Sequence, residues 1–477
     1  MSAAEAGASV VVVERAPEKK RGGNGPFTGG FLRCSFDGIE DLRQLVDLSP
    51  LEEKKLEVDR FTPEEFFLDV AEVSDYRADP DLVDVLVNNS LDTVKWLRGL
   101  GVPFVPAYGL HGTGADGKVR MSGVAPIVEV SGGGAGLLEV LFRKTVDMGI
   151  PILYATRATG LVTDSRGRLA GVTVERERVT HTIEASNVVL AAGGFEASPE
   201  MRARYLGPGW DLARVRGSSY NTGDGIRMAL AVGAQAVGNW TGCHAAPLDV
   251  NAPPFGDPNL SDAFVRRSFH LGITVNRNGE RFADEGADVE FKTYSEMGKL
   301  ILAQSGQVAF QLFDATMMEL VRSEYTLRQA TRYDAESFSE LANKAGIDGR
   351  RLERTIDEFN AAATGTIVDP RTKDGISAAT VYPPKSNWAA PLNVPPYTAF
   401  PVTGGITFTY GGIRINSRSQ VMHEDGHPID GLYAAGEMVG GLFYGNYPLG
   451  CGVMAGAVFG RMAGKTAASS TVGTANV

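Results

Sequence analysis

Cysteine is scarce. The 477 residues hold three, Cys34, Cys243 and Cys451, far apart in the chain. No CxxC pair and no histidine-rich run accompanies them, which excludes a disulfide framework and a cysteine zinc site. No metal centre is expected. Long apolar runs are missing too. None reaches the roughly 18 residues a membrane span requires, and no basic segment followed by an apolar one marks an export signal. The expectation is therefore no membrane insertion and a cytoplasmic location. Positive charge is in deficit, 46 Lys and Arg against 57 Asp and Glu for a net charge of -11, so no basic surface for nucleic acid is expected. Periodicity is absent from the 58 glycines, which excludes collagen. The glycines cluster in short apolar stretches, as expected where backbone approaches a ligand closely. The length points to two or three domains.

The N-terminus reads as a fragment of a known physical device. "SAAEAG" is a short helix with Gly7 as its stop. "SVVVV" (9–13) is a β-branched run of the kind found in parallel strands buried on both faces. Glu14 and Arg15 follow, then the glycine loop "GGNGPFTGG" (22–30). In dinucleotide folds an acidic residue at such a strand end binds ribose hydroxyls, about 20 residues after a GxGxxG turn. Counting back from Glu14 passes Met1, so the first strand and its phosphate loop fall outside this chain. The fold expected is α/β: a Rossmann-like, N-terminally truncated FAD-binding domain with an inserted α+β capping domain. A chain of this extent is expected to hold flavin poorly, and one extended upstream by roughly 20–25 residues to hold it well.

Downstream, helices dominate 40–100, a glycine turn at 131–135 feeds a helix, and strands fill 151–176 around a "DSRGR" turn. "AAGGF" (191–195) follows a strand, and "NTGDG" (221–225) opens a helix. From about 238 to 395 the glycine–loop–helix units cease and Pro, Phe, Tyr and charge rise. The expected layout is 1–237 as a first cofactor block, 238–395 as the insert, 396–468 as a second block ending in "GLYAAGE" and a small-residue helix, and 469–477 as a disordered tail.

Taken in order, the strand-Glu unit, "GGN…TGG", "AAGGF", "TGDG", "NRNGERFADE" and "GLYAAGE" resemble the flavoproteins of the fumarate reductase and succinate dehydrogenase family across nearly the whole chain. "GCHAAP", "GERFADEGAD", "GITFTYGG" and "GLFYGNYP" are most similar to its tricarballylate dehydrogenase branch, with 3-ketosteroid dehydrogenases as neighbours. The resemblance implies FAD as cofactor and hydrogen transfer at a C–C bond. It also implies a small-molecule substrate (a carboxylic acid or a ketosteroid), an unidentified electron acceptor, and a site at the junction of cofactor domain and insert. An inactive flavoprotein remnant is the rival of another class.

The resemblance assigns Glu14 and Arg15 to the adenosine ribose, and Gly22, Gly23, Asn24, Thr28, Gly29 and Gly30 to the pyrophosphate and flavin edge. Ala192, Gly193 and Gly194 go to the adenine half, and Asn221, Thr222, Gly223 and Asp224 to the ribityl or isoalloxazine region. Gly436 and Glu437 go to the ribityl chain or ribose, while Gly452 and Val453 open a helix facing the flavin N1/O2 edge. His244 matches a histidine that binds a substrate carboxylate. Arg281 reads as a structural partner of Asp284 or Glu285, and Arg266 and Arg267 as candidate substrate cations. The family's proton-shuttle arginine is replaced by Val289, a second histidine by Phe408 and a further arginine by Tyr447. Fumarate and succinate are therefore not the expected substrates. Glu290, Tyr294 and Tyr447, with His244, form the candidate catalytic set. Phe408, Tyr410, Phe443, Tyr444 and Tyr447 crowd two segments, either as a pocket wall or as packing.

Overall fold

A computed structural model describes residues 1–114, 116–260, 262–367 and 369–472, with side chains to 470. The chain divides into two units: Met1–Gly207 with Gly217–Cys243 and Phe408–Val477, and Pro208–Arg216 with His244–Thr407. The main segment of the second unit runs from His244 to Thr407, beside the 238–395 expected for an insert. Both crossings fall inside long strands, Ala236–Asp249 and Tyr397–Ile413, so the change in composition does not coincide with the change of unit. Pro208–Arg216 joins the second unit because Arg214–Val215 pairs in parallel with Gly405–Ile406.

In the first unit Val12–Val13 runs parallel to Ile152–Leu153. The expected burial on both faces does not hold. Val11 is 41% exposed and Val12 and Val13 are half-buried. Their one strand partner among the described residues is Ile152–Leu153, and a β-branched strand with one neighbour keeps an open edge. A second parallel pair joins Val188–Leu190 to Pro428–Ala434, which continues antiparallel to Gln420–Met422. The "DSRGR" turn links the first two strands of a three-stranded meander, Arg157–Thr163, Leu169–Arg176 and Val179–Glu184. Helix Pro80–Gly99 starts at the Asp79 cap and stops before Gly101, at φ 97°. The small-residue helix Cys451–Val472 packs on it and on Pro428–Ala434. Residues 469–472 are helical, which corrects the expected tail start: the last turn is held by Ser470 Oγ on Ala467 O at 2.8 Å. Residues 473–477 lie outside the described residues.

The second unit is built on antiparallel strands. Ile273–Asn276 pairs with Val308–Phe313, which pairs with the first part of Tyr397–Ile413. Phe310, Phe313, Tyr325, Leu352, Phe359 and Phe400 fill its core. Helix Glu290–Leu302 presses close to the strand carrying His244, since a Cβ at Gly298 would stand 2.6 Å from Ala246 N. No helix among the described residues is long and apolar enough to cross a membrane.

Candidate functional site

The first unit gathers its glycine motifs around a buried acid. Glu196, the residue just after "AAGGF", is wholly buried. Its Oε1 accepts Asn24 Nδ2 at 2.6 Å and Asn221 Nδ2 at 2.7 Å, and Asn24 Oδ1 accepts Ser218 N at 2.8 Å. Glu437 Oε1 accepts Thr409 N at 2.8 Å and Thr409 Oγ1 at 3.2 Å. Burial, the nearby Glu437 charge and a contact between the two carboxyls push Glu196 up. Burial pushes Glu437 up as well. Two carboxylates at such range cannot both ionise freely. Gly194 lies over the pair. A Cβ there would overlap Thr409 Oγ1 and Glu437 Oε1, and would stand 2.8 Å from Glu196 Oε2. Gly193, at φ 73°, faces Asn221 in the same way.

The Glu14 carboxylate ties the strand end to the glycine loop, accepting Ala16 N at 2.7 Å and Gly22 N at 3.3 Å. Gly22, Gly23 and Gly30 all hold positive φ. Thr28 Oγ1 accepts Gly30 N at 2.8 Å, and a Cβ on Gly30 would stand 2.7 Å from Gly133 Cα. Gly29 turns toward the Phe31 ring. Ala192 is exposed beside Gly225, and Gly436, at φ 78°, opens a short turn into Glu437.

Arg15 and Asp224 are paired with each other. Arg15 Nη1 donates to Asp224 at 2.9 Å and to Thr222 Oγ1. Arg157 binds both Asp224 oxygens at 2.8 and 3.0 Å, and Arg227 adds a third pair. Burial raises the Asp224 pKa, but the hydrogen bond from Arg157 and the three positive charges outweigh it and hold the carboxyl below the usual range. Gly223, at φ 77°, precedes the helix Asp224–Ala231.

Four aromatic rings stand together where Gly452 opens the last helix. Tyr447 lies 5.3 Å from Phe408, 5.1 Å from Phe443 and 6.4 Å from Tyr410. A Cβ on Gly452 would touch Phe408 and Tyr447 at 3.6 Å. Val453 is half-buried next to it. Tyr444 is apart from this group, under the Arg77 guanidinium at 5.1 Å.

In the second unit His244 is buried, with its ring 4.9 Å from that of Tyr294. Burial, then the positive charges of Arg216 and Lys299, push His244 down to about 3. It is a neutral imidazole at physiological pH. Burial pushes Tyr294 up, so it stays a phenol. Glu290 opens helix Glu290–Leu302 and accepts Arg322 Nη1 at 3.0 Å. Val289 precedes it with its side chain buried. The candidate cations are already engaged. Arg266 and Asp249, both with no exposure, pair at 2.8 Å, and Arg266 Nη1 also donates to Ala263 O and Val265 O. Arg267 pairs with Asp262 at 3.1 Å and Glu324 at 3.5 Å, and Arg216 Nε donates to Asp262 Oδ1 at 2.7 Å. Arg281 is the structural partner of Glu285.

Glycines at positive φ and a floor of buried acids and amides beneath them define a cofactor-binding α/β protein. The model of the "FAD binding domain" family matches residues 1–453. The "Fumarate reductase (cytochrome)" of Shewanella frigidimarina is 28% identical over 472 residues, 98% of this chain and 74% of that protein. The solved structure of the open conformation of a flavocytochrome c3 fumarate reductase superposes with a TM-score of 0.75 at 26% identity, over 98% of this chain and 75% of that one. A 3-ketosteroid delta1-dehydrogenase from Sterolibacterium denitrificans shares the fold at TM-score 0.73 and 20% identity, over 98% and 96% of the two chains. The chain belongs to the FAD-binding flavoprotein family of fumarate reductase and succinate dehydrogenase, and is an FAD-dependent oxidoreductase.

Proposed function

We propose that this oxidoreductase moves hydrogen across a C–C bond activated by a carbonyl group rather than by the two carboxylates of fumarate. One observation carries the reading. Arg266 and Arg267, the cations a polycarboxylate would need, are held in ion pairs with Asp249, Asp262 and Glu324. Val289, Phe408 and Tyr447 stand where the family resemblance implies an arginine, a histidine and an arginine.

FAD fits the first unit on that unit's own features. Gly22, Gly23, Gly30, Gly193 and Gly436 hold positive φ, and Gly194 packs directly on the buried Glu196 and Glu437 carboxyls where no side chain fits. Gly22, Gly23 and Gly30 would wrap the pyrophosphate, Glu14 would turn from Gly22 N to the ribose, and Glu437 would receive the ribityl hydroxyls. Asn24, Asn221 and Glu196 would form the floor. Bound FAD supplies the two-electron acceptor for hydride. Tyr447 donates a hydrogen bond to the substrate carbonyl oxygen, where negative charge grows as the neighbouring proton leaves. Taken by itself, the second unit offers neutral His244 and phenolic Tyr294 as hydrogen-bonding groups and Glu290, held by Arg322, as a carboxylate able to accept a proton.

A tricarballylate-like substrate is the second reading. The positive potential of Arg216 and Lys299 on His244 favours a carboxylate there. A substrate panel on enzyme loaded with FAD separates the two. Turnover of cyclic ketones or 3-ketosteroids supports the first, and turnover of tricarballylate alone supports the second. Turnover of fumarate or succinate above both overturns the pair. A protein that binds no flavin overturns the enzyme reading itself.

A further inference from the structure

A cluster far in sequence from the catalytic candidates carries its own chemistry. The chain turns at His423–His427, "HEDGH", between Gln420–Met422 and Pro428–Ala434. Backbone bonds fix the turn. His423 N donates to His427 O at 2.7 Å and Gly426 N to His423 O at 2.9 Å, with Gly426 at φ 88°. Two residues four apart across such a turn present side chains on one face. The His423 and His427 rings lie 4.8 Å apart and parallel within 4°. Asp425 Oδ2 lies 3.3 Å from His423 Nδ1. One ligand atom from each of His423, Asp425 and His427 falls within 4.8 Å of the others.

The protonation pattern is set locally. His423 Nδ1 accepts Asp425 N at 3.1 Å, a hydrogen bond that an ion on this nitrogen would displace. The ring rests on Gly233, at φ 87°, where a Cβ would collide with it. Glu424 N donates to Gly233 O at 2.9 Å and seats the turn there. His423 is thus pinned, His427 Nδ1 is hydrogen-bonded to Pro428 O at 3.1 Å, which leaves its Nε2 for an ion, and Asp425 and His427 are exposed. Ligands on a tetrahedral ion at about 2.0–2.2 Å stand roughly 3.3 Å from one another. Exposed side chains cover the remaining distance by a small rotation.

We propose that His423, Asp425 and His427 form a surface site for one borderline divalent transition-metal ion such as Zn²⁺, Ni²⁺ or Cu²⁺, completed by water. Two imidazoles and one carboxylate select these ions over Mg²⁺ and Ca²⁺, which need oxygen ligands. The ion would tie together the two ends of the turn that leads into the strand Pro428–Ala434. Binding to the folded turn alone raises stability by mass action.

The test is calorimetric titration of chelator-stripped, untagged full-length protein with ZnCl₂ and NiCl₂ at pH 7.5. One equivalent should bind with a dissociation constant on the order of micromolar and should survive excess Mg²⁺. His427→Gln and Asp425→Asn, both exposed changes, should each weaken binding on the order of tenfold or more. Circular dichroism checks that the variants fold. Absence of stoichiometric binding, competition by Mg²⁺, or folded variants that bind as the parent does would overturn the assignment.

Discussion

Arg266→Met separates a structural arginine from a substrate ligand. The Arg266–Asp249 pair has no exposure on either side, so removing the arginine leaves a carboxylate in a dry site. Breaking a buried pair this way costs about 3–5 kcal/mol. Asp249 keeps three donors, Asn251 N at 2.9 Å and Thr331 N and Oγ1 at 2.7 Å, which places the cost near the lower bound, about 3 kcal/mol. For a unit of this size 1 kcal/mol moves Tm by roughly 2–4 °C, so the melting temperature should fall by roughly 6–12 °C. Adding Asp249→Leu should recover much of the loss, because an apolar pair of similar volume replaces a buried ion pair at little cost. The assay is scanning calorimetry of both variants, with KM and flavin content measured well below the transition. A Tm shift under about 2 °C with a tenfold rise in KM would refute the reasoning and make Arg266 a substrate cation.

Three further outcomes follow from the geometry. Gly194→Ala, whose Cβ would overlap Thr409 and Glu437, should lower the flavin bound per chain several-fold while the fold survives; absorbance per mole of protein reads it, and unchanged content would count against that site. His244 stays neutral when folded down to about pH 3 but protonates near 6.5 when unfolded, so stability is lost as pH falls from about 6.5 toward 3, by up to about 1.4 kcal/mol per unit. His244→Gln should flatten that slope in denaturant midpoints measured between these limits, and an unaltered slope would show that another group sets it. Tyr447→Phe should reduce turnover on a ketone by roughly a hundredfold with little change in flavin content, and full activity in the variant would remove Tyr447 from the chemistry.

Much of the cofactor unit was legible in its glycines. A loop such as "GGNGPFTGG" or a strand running into "AAGGF" or "AAGE" demands positive φ and close backbone approach, which few other residues tolerate. Glu196 was missed although it directly follows "AAGGF". Its role exists through Asn24 and Asn221, partners that no local pattern reveals. The resemblance places Asp224 near the flavin, and the arginines that engage it, from positions 15, 157 and 227, are far apart in sequence and invisible to any local pattern. Burial of "SVVVV" was overread for the same reason: β-branched residues announce a strand, but exposure is decided by which neighbours it has. Arg266 and Arg267 stand against Asp249, Asp262 and Glu324, partners that sequence spacing does not reveal.

The central claim is that the enzyme acts on a carbonyl-activated C–C bond. Its most direct test is anaerobic single turnover, mixing FAD-loaded enzyme with a saturated cyclic ketone or with succinate and following the bleaching of the oxidised flavin band. The account predicts bleaching by the ketone at least about a hundredfold faster than by succinate, the discrimination expected when a dicarboxylate meets a pocket lacking its charge partners. Equal rates, or reduction by succinate alone, would contradict it.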